Sequence, residues 1–257
     1  MSGGGNLSKS PLFESLSKIH VAGQASRLAF TLAEILITLG IIGVVAALTM
    51  PSLITNYQKK QTVVELRKVY SDIDNAIRLS ETVNGPSSNW QYPEPYNEVA
   101  LAQFVKTYHL PYFQGSRGLG RFEVPLNYKM VPMVSGNNLP FYYLLLNNGV
   151  ILGYFINMDS EVNSGYFWLF ADINGYKGPN KMGRDQFVFD PSAYADNRFR
   201  VKFWCGGSWF IYVTAEQLMQ NNSQYACNAS NTDFYRNFSC GRVIELSGWK
   251  IPEGYPW

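Results

Sequence analysis

Four side chains that carry oxygen ligands lie within one glycine-rich stretch of the chain. They are Asp172, Asn174, Asn180 and Asp185, in the sequence Asp-Ile-Asn-Gly-Tyr-Lys-Gly-Pro-Asn-Lys-Met-Gly-Arg-Asp. Calcium prefers hard oxygen ligands on a flexible loop, so this stretch is a candidate calcium site. The spacing is not that of an EF-hand, because the glycine comes too early and no glutamate closes the loop. Asp, Asn and Gly also form turns without any ion, and both interpretations stay open at this point.

A nucleophile assisted by histidine would have to use His109. The other histidine, His20, lies in the leader segment described below. His109 precedes Leu110-Pro111 at a predicted helix end, where a histidine is more often a cap or a surface residue. Asp and Glu residues are scattered along the chain, which leaves a catalytic carboxylate pair open but does not indicate one. We therefore predict that the protein is not an enzyme.

The three cysteines, Cys205, Cys227 and Cys240, all lie in the last quarter of the chain. They contain no Cys-x-x-Cys motif, so neither a zinc knuckle nor a thioredoxin-like site is supported. Cys227 and Cys240 are the closest pair along the chain, and we favour a disulfide between them with Cys205 buried and free. The alternative is that all three are reduced core residues.

The residues that could act in a membrane or in an assembly lie near the N-terminus. Phe30 to Met50 are apolar or small apart from three threonines and Glu34. About 20 residues at ~1.5 Å each suffice to cross a ~30 Å hydrocarbon core as a helix. A carboxylate near the start of such a span indicates either a hydrated surface position or a role with a specific partner.

The sequence Phe30-Thr-Leu-Ala-Glu34 closely resembles the start of a mature type IV pilin or type II secretion pseudopilin. In that family a prepilin peptidase cuts just before the phenylalanine and methylates the new amine. The glutamate is the fifth residue of the mature chain, as Glu34 is here. Pro51 lies where many pilins carry a helix-bending proline. One residue departs from the pattern, since Ala29 stands before the cut where the family usually has glycine.

The resemblance implies a structural subunit that assembles through its N-terminal helix into a type IV pilus or a type II secretion pseudopilus. Glu34 would then pair with the N-terminal amine of a neighbouring subunit, because a buried charge without a partner costs several kcal/mol. The implied partners are copies of the chain, related pilins, the prepilin peptidase, an inner-membrane assembly platform and membrane lipid. Similar loops hold calcium in major pseudopilins.

A conventional secretory signal is the competing interpretation of the N-terminus. Ala46-Ala47-Leu48-Thr49 has small residues that suit signal cleavage after Ala47. The apolar run exceeds the usual ~7–15 residues of a signal peptide and contains Glu34, so we favour the prepilin interpretation.

One long helix is predicted from about Phe30 to about Thr82. Past Pro51, apolar residues recur at steps of three and four, and Asn84-Gly85-Pro86 stops the pattern. The apolar positions are Leu53, Tyr57, Val63, Val64, Leu66, Val69, Tyr70, Ile73 and Ile77. We therefore divide the chain into a cytoplasmic leader, 1–29, a long helix, 30–83, that spans the membrane over about 30–50, and a globular head, 84–257. The precursor is expected to be a single-pass inner-membrane protein with its head periplasmic or extracellular.

The head is expected to be α+β, with the helix packed on an antiparallel sheet. Predicted strands are 141–146, 150–156, 166–171, 186–189 and 242–246, and the first two flank Asn147-Asn148-Gly149, a strong hairpin signal. Short helices are predicted at 95–108, with Val99, Ala102, Phe104 and Val105 inward, and at 214–220. A loop is expected at 115–120, and the aromatic end, 248–257, is expected to dock on the body.

Composition limits the partners of the head. The net charge is +2, so no polybasic surface calls for nucleic acid. The alternative function is a minor tip subunit that binds an adhesin ligand or takes up DNA. Trp204, Trp209 and Tyr212 would suit such a stacking surface, although core strand positions are the simpler interpretation.

Overall fold

The computed structural model describes residues 30–94, 97–120, 123–125, 128, 130, 142–157, 166–189, 201–203, 214–220, 225–231 and 236–257. The chain forms two compact units, 1–51 and 52–257. The helices are α1 (Leu32–Asn84), α2 (Glu98–Tyr108), α3 (Ala215–Gln220) and α4 (Cys240–Leu246). The strands are β1 (Arg117–Leu119), β2 (Tyr142–Leu145), β3 (Ile151–Asn157), β4 (Tyr166–Asp172) and β5 (Gln186–Phe189). Two short 3₁₀ turns lie at Ser87–Asn89 and Leu110–Tyr112.

Helix α1 has 53 residues and contains Pro51. It ends at Asn84, and Gly85 follows with a φ of 75°, a conformation that glycine adopts without steric cost. The predicted helix and its stop at Asn84-Gly85-Pro86 are therefore confirmed to within two residues.

The part of α1 in the second unit buries one face. Leu66, Val69, Ile73 and Ile77 are almost fully buried, at the spacing of three and four that the sequence predicted. Leu53, Tyr57 and Val64 belong to the same apolar pattern but are exposed. The apolar residues of this segment therefore occupy two faces, of which one packs in the core.

The five strands form an antiparallel meander in the order β1-β2-β3-β4-β5. The hairpin predicted at Asn147-Asn148-Gly149 is confirmed, with Leu144 opposite Leu152 and a φ of 87° at Gly149. The side-chain oxygen of Asn148 accepts a hydrogen bond from the Val150 amide (3.2 Å), which tightens the turn. An α+β fold with an antiparallel sheet is thus confirmed.

Both faces of the sheet are covered. Alternate residues such as Leu152 and Tyr154 on β3 pack in the core that includes the buried face of α1. Their neighbours Ile151 and Phe155 point to the opposite face, where Phe238 and Met130 cover them. A central strand that is buried on both sides reads as a continuous apolar run, as Ile151 to Phe155 do.

Two predicted elements are wrong. The segment 115–120, expected to be a loop, contains the edge strand β1, in which Gly118 lets the Tyr142 hydroxyl approach where a Cβ would overlap it. The segment 242–246, expected to be a strand, belongs to helix α4. Val243 and Ile244 are β-branched, but with Cys240 they form a buried helical face at i, i+3 and i+4.

The prediction for the inward face of α2 is wrong at one position. Val99 is 82% exposed, whereas Leu101, Phe104 and Val105 are buried. Leu101 is followed three and four residues later by Phe104 and Val105, so this trio defines one helical face and Val99 falls outside it. The helix begins at Glu98, with the Asn97 side chain accepting a hydrogen bond from the Ala100 amide (3.0 Å).

The C-terminal segment packs against the rest of the second unit, as predicted. Tyr255 is buried and its hydroxyl donates to the carbonyl of Gly183. The Trp249 ring lies edge-on to Tyr70, with 5.5 Å between ring centroids. The predicted disulfide is also present, joining Cys227 to Cys240, the first residue of α4. Cys205 lies outside the described residues.

Candidate functional site

The first part of α1 is apolar around its whole circumference. No residue from Phe30 to Met50 is buried, and Phe30 and Leu32 are each 77% exposed. By length and composition, this helix near the N-terminus suffices to cross a membrane. A helix that is apolar all round needs a lipid or protein environment, because water solvates none of its faces well.

A capping box forms the start of α1. The Thr31 amide and hydroxyl both donate to the same Glu34 oxygen, Oε2, at 2.8 and 2.9 Å. In return, the Glu34 amide donates to the Thr31 hydroxyl oxygen at 3.2 Å. Two backbone N–H groups that the helix leaves without an intrahelical partner are satisfied in this way. Thr-x-x-Glu ahead of an apolar run is the sequence signal of such a box, and it was not among the motifs predicted above.

The capping box leaves half of the Glu34 carboxylate available. Oε1 makes no hydrogen bond to any residue that the structure describes, and the backbone amide of Phe30 takes no part in the box. A cut before Phe30 would therefore leave the box intact. Ala29, the residue before the predicted cut, lies outside the described residues.

Pro51 lies inside α1 at the boundary between the two units. Proline lacks an amide hydrogen, so one hydrogen bond of the helical ladder is missing at this point. The helix nevertheless continues from Met50 to Ser52 without a break. The predicted location of the proline within one long helix is confirmed, while its role in assembly stays a prediction.

The loop between β4 and β5 brings together the four predicted metal ligands. The Asp185 carboxylate accepts hydrogen bonds from the backbone amides of Asn180 and Lys181, at 2.7 and 2.5 Å. It also accepts one from the side-chain amide of Asn174, at 3.3 Å. The backbone amide of Asn174 in turn donates to Asp172 at 3.3 Å. The loop is therefore organised around two buried carboxylates by hydrogen bonds.

Asp172 is held by further hydrogen bonds from outside the loop. Its oxygens also accept the side-chain amide of Gln186 (2.9 Å) and the hydroxyl of Tyr128 (3.2 Å). Burial raises the pKa of Asp172 to about 7; the negative charge of Asp185 adds to this rise and the hydrogen bonds oppose it. Near neutral pH, the Asp172 carboxyl is therefore present in both its protonated and its ionised form.

The oxygen ligands of this loop suit a hard cation only in part. The side-chain oxygens of Asn174 and Asn180 are buried and have no hydrogen-bond partner among the described residues, so each offers an unused ligand. Both oxygens of Asp185, in contrast, already accept N–H groups. No cluster of three or more His, Cys, Asp or Glu residues suited to a metal occurs in the described part of the chain. Turn chemistry accounts for the loop as it stands, and calcium binding stays a prediction.

His109 lies in the core, so its interpretation as a surface residue is wrong. It follows α2 as the C-terminal cap, which confirms the other interpretation. Its Nδ1 lies 3.2 Å from the hydroxyl of Tyr154. Burial lowers the pKa of His109 to about 3, so the imidazole is neutral at physiological pH. Trp204, Trp209 and Tyr212, the candidate stacking surface, lie outside the described residues.

Comparison with known proteins gives a family for the second unit. The model of a family described as "Family of unknown function (DUF6613)" matches residues 52–257. These residues coincide with the second compact unit of the chain. Searches of curated proteins and of solved structures found no match.

Proposed function

We propose that this chain, which belongs to the family of unknown function DUF6613, is a structural subunit of a type IV pilus or a type II secretion pseudopilus. The precursor would be anchored in the cytoplasmic membrane by the first part of α1, with its second unit on the outer side. A prepilin peptidase would then cut between Ala29 and Phe30. Both kinds of filament use the same helix, so the proposal covers both.

One observation carries this proposal. A carboxylate with one uncommitted oxygen lies at the start of α1, whose first part exposes its apolar side chains on every side. The Thr31–Glu34 capping box holds this carboxylate beside the position where the mature N-terminus would begin. The resemblance of Phe30-Thr-Leu-Ala-Glu34 to the prepilin processing motif supports the same role.

In the proposed filament, the first parts of many α1 helices pack together and remove their apolar side chains from lipid. The Glu34 carboxylate then enters a low-dielectric environment, where an unpaired charge is costly. The methylated amine of Phe30 in a neighbouring subunit supplies the opposite charge. Oε1 of Glu34 is the oxygen that remains to accept a hydrogen bond from this amine. Pairing at this one position sets the register between subunits.

The N-terminal residue of the protein extracted from cells that contain a prepilin peptidase is the first test. Intact mass and terminal sequencing should show a chain that begins at methylated Phe30. A start after Ala47 would identify an ordinary secreted domain, and an uncut chain would refute the filament proposal.

Two substitutions separate the pairing role of Glu34 from its capping role. Glu34→Gln keeps a side chain that serves in a capping box but removes the charge. Thr31→Ala removes the capping hydroxyl, at about 0.5–2 kcal/mol of helix stability, but keeps the charge. We expect sheared filaments to disappear in Glu34→Gln and to persist in Thr31→Ala, with equal amounts of processed protein. Loss of filaments in Thr31→Ala alone would show that Glu34 acts only as a cap.

A further inference from the structure

A groove of about 590 Å³ opens on the second unit. It lies between the start of the unit's α1 segment, the β2–β3 hairpin turn, the β4–β5 loop and Trp257. Its volume falls within the range of ~300–1,000 Å³ that is typical of small-ligand sites. All of its lining residues belong to the one unit, so its shape does not depend on how the chain is anchored.

Three amide side chains in the groove are each held by one end. Gln61 donates to Glu65 (2.9 Å), Gln58 accepts from Arg184 (3.3 Å) and Asn148 accepts from Val150 (3.2 Å). The other end of each amide has no protein partner among the described residues. The residues that line the groove therefore carry one uncommitted acceptor, at Gln61, and two uncommitted donors, at Gln58 and Asn148.

An aromatic ring lies beside these amides. The Tyr176 side chain lines the groove and is 43% exposed. Tyr128 supports it edge-on, with 5.1 Å between ring centroids. Trp257 forms another wall, and its ring is held by Lys59 and Arg184, whose charged groups lie 5.9 and 5.1 Å from its centroid. A supported, exposed ring next to oriented amides offers an apolar platform and hydrogen bonds to the same ligand.

The charges that line the groove balance each other. Glu65 and Asp185 are negative, and Lys177 and Arg184 are positive. A groove without net charge gives no electrostatic preference for an ionic ligand.

We infer that this groove binds a neutral saccharide. A sugar hydroxyl both donates and accepts, so it can pair with the acceptor of Gln61 and with the donors of Gln58 and Asn148. The C–H face of a pyranose ring is apolar and matches the exposed ring of Tyr176. This inference goes beyond the filament role and holds whether or not the chain assembles.

Binding is measured on the full chain in a detergent without a sugar headgroup, by saturation-transfer difference NMR and by calorimetry. The probes are glucose, galactose, N-acetylglucosamine and their β-linked disaccharides. Tyr176→Ala and Gln61→Ala should each raise the Kd of the bound saccharide by about tenfold, equivalent to about 1.4 kcal/mol. The matched controls are Tyr57→Ala and Gln103→Ala, which remove an exposed tyrosine and an exposed glutamine outside the groove and should leave the Kd unchanged.

Three results would overturn the inference. One is the absence of saturable binding by every neutral probe. Another is binding that Tyr176→Ala and Gln61→Ala leave unchanged, since the saccharide would then lie elsewhere. The third is tighter binding of a sulfated saccharide than of its neutral parent. Because both groove residues are solvent-accessible, circular dichroism and the intact Cys227–Cys240 disulfide verify that each variant is folded.

Discussion

The buried carboxyl of Asp172 should make the stability of the second unit depend on pH in an unusual direction. Its pKa is raised by burial to about 7 in the folded protein, against an ordinary aspartate pKa of 3.8. Between these values the folded protein holds a proton that the unfolded chain has lost. The contribution of this group to the free energy of unfolding is therefore fully present below about pH 4, and it declines as the pH rises towards 7.

The size of the effect follows from the two pKa values. At about 1.4 kcal/mol per pKa unit, the separation between 3.8 and about 7 corresponds to about 4 kcal/mol. Other carboxyl groups with ordinary behaviour can mask this trend in the wild type alone. The difference between the wild type and Asp172→Asn isolates it, because the variant lacks only this titration.

The assay is denaturant unfolding of both proteins in detergent at a series of pH values from 4 to 8, followed by tryptophan fluorescence. We expect the stability of the wild type relative to Asp172→Asn to fall by about 4 kcal/mol as the pH rises through this interval. Glu94→Gln, which changes an exposed carboxyl, should follow the wild type. A pH-independent difference between the wild type and Asp172→Asn would show that the folded protein does not protonate Asp172 near neutrality.

Three further predictions concern the fold and the loop. Replacing both Cys227 and Cys240 by alanine should lower the free energy of unfolding by about 3 kcal/mol, measured against the oxidised wild type; an unchanged value would mean that the bridge contributes nothing. Leu66→Ala, in the core, should cost about 2–5 kcal/mol, whereas the exposed Val64→Ala should change stability by less than about 0.5 kcal/mol; equal costs would contradict the assigned packing face of α1. Millimolar calcium should raise the Tm of the wild type but not that of Asp172→Ala, and a wild-type Tm that calcium leaves unchanged would end the calcium hypothesis.

Patterns that depend on neighbouring residues were readable from the sequence. The long helix was predictable because its apolar positions repeat over many turns and Asn84-Gly85-Pro86 terminates it. The hairpin was predictable because Asn147-Asn148-Gly149 accommodates the positive φ that Gly149 adopts. Helix α4 was not, because a run of five residues with two β-branched members fits a strand or a buried helix equally well.

The features of the candidate sites also divide into those that the sequence determined and those that depend on the tertiary structure. The sequence alone determined the apolar span, the Thr-x-x-Glu start of α1 and the collection of oxygen ligands in one loop, since each is a matter of local spacing. Only the tertiary structure decided that Asp172 is buried beside Tyr128 and Gln186, or that Gln58 and Gln61 of α1 line one groove with Tyr176. These relations join residues far apart in the chain, and burial and the resulting pKa depend on what packs around a group rather than on its sequence neighbours.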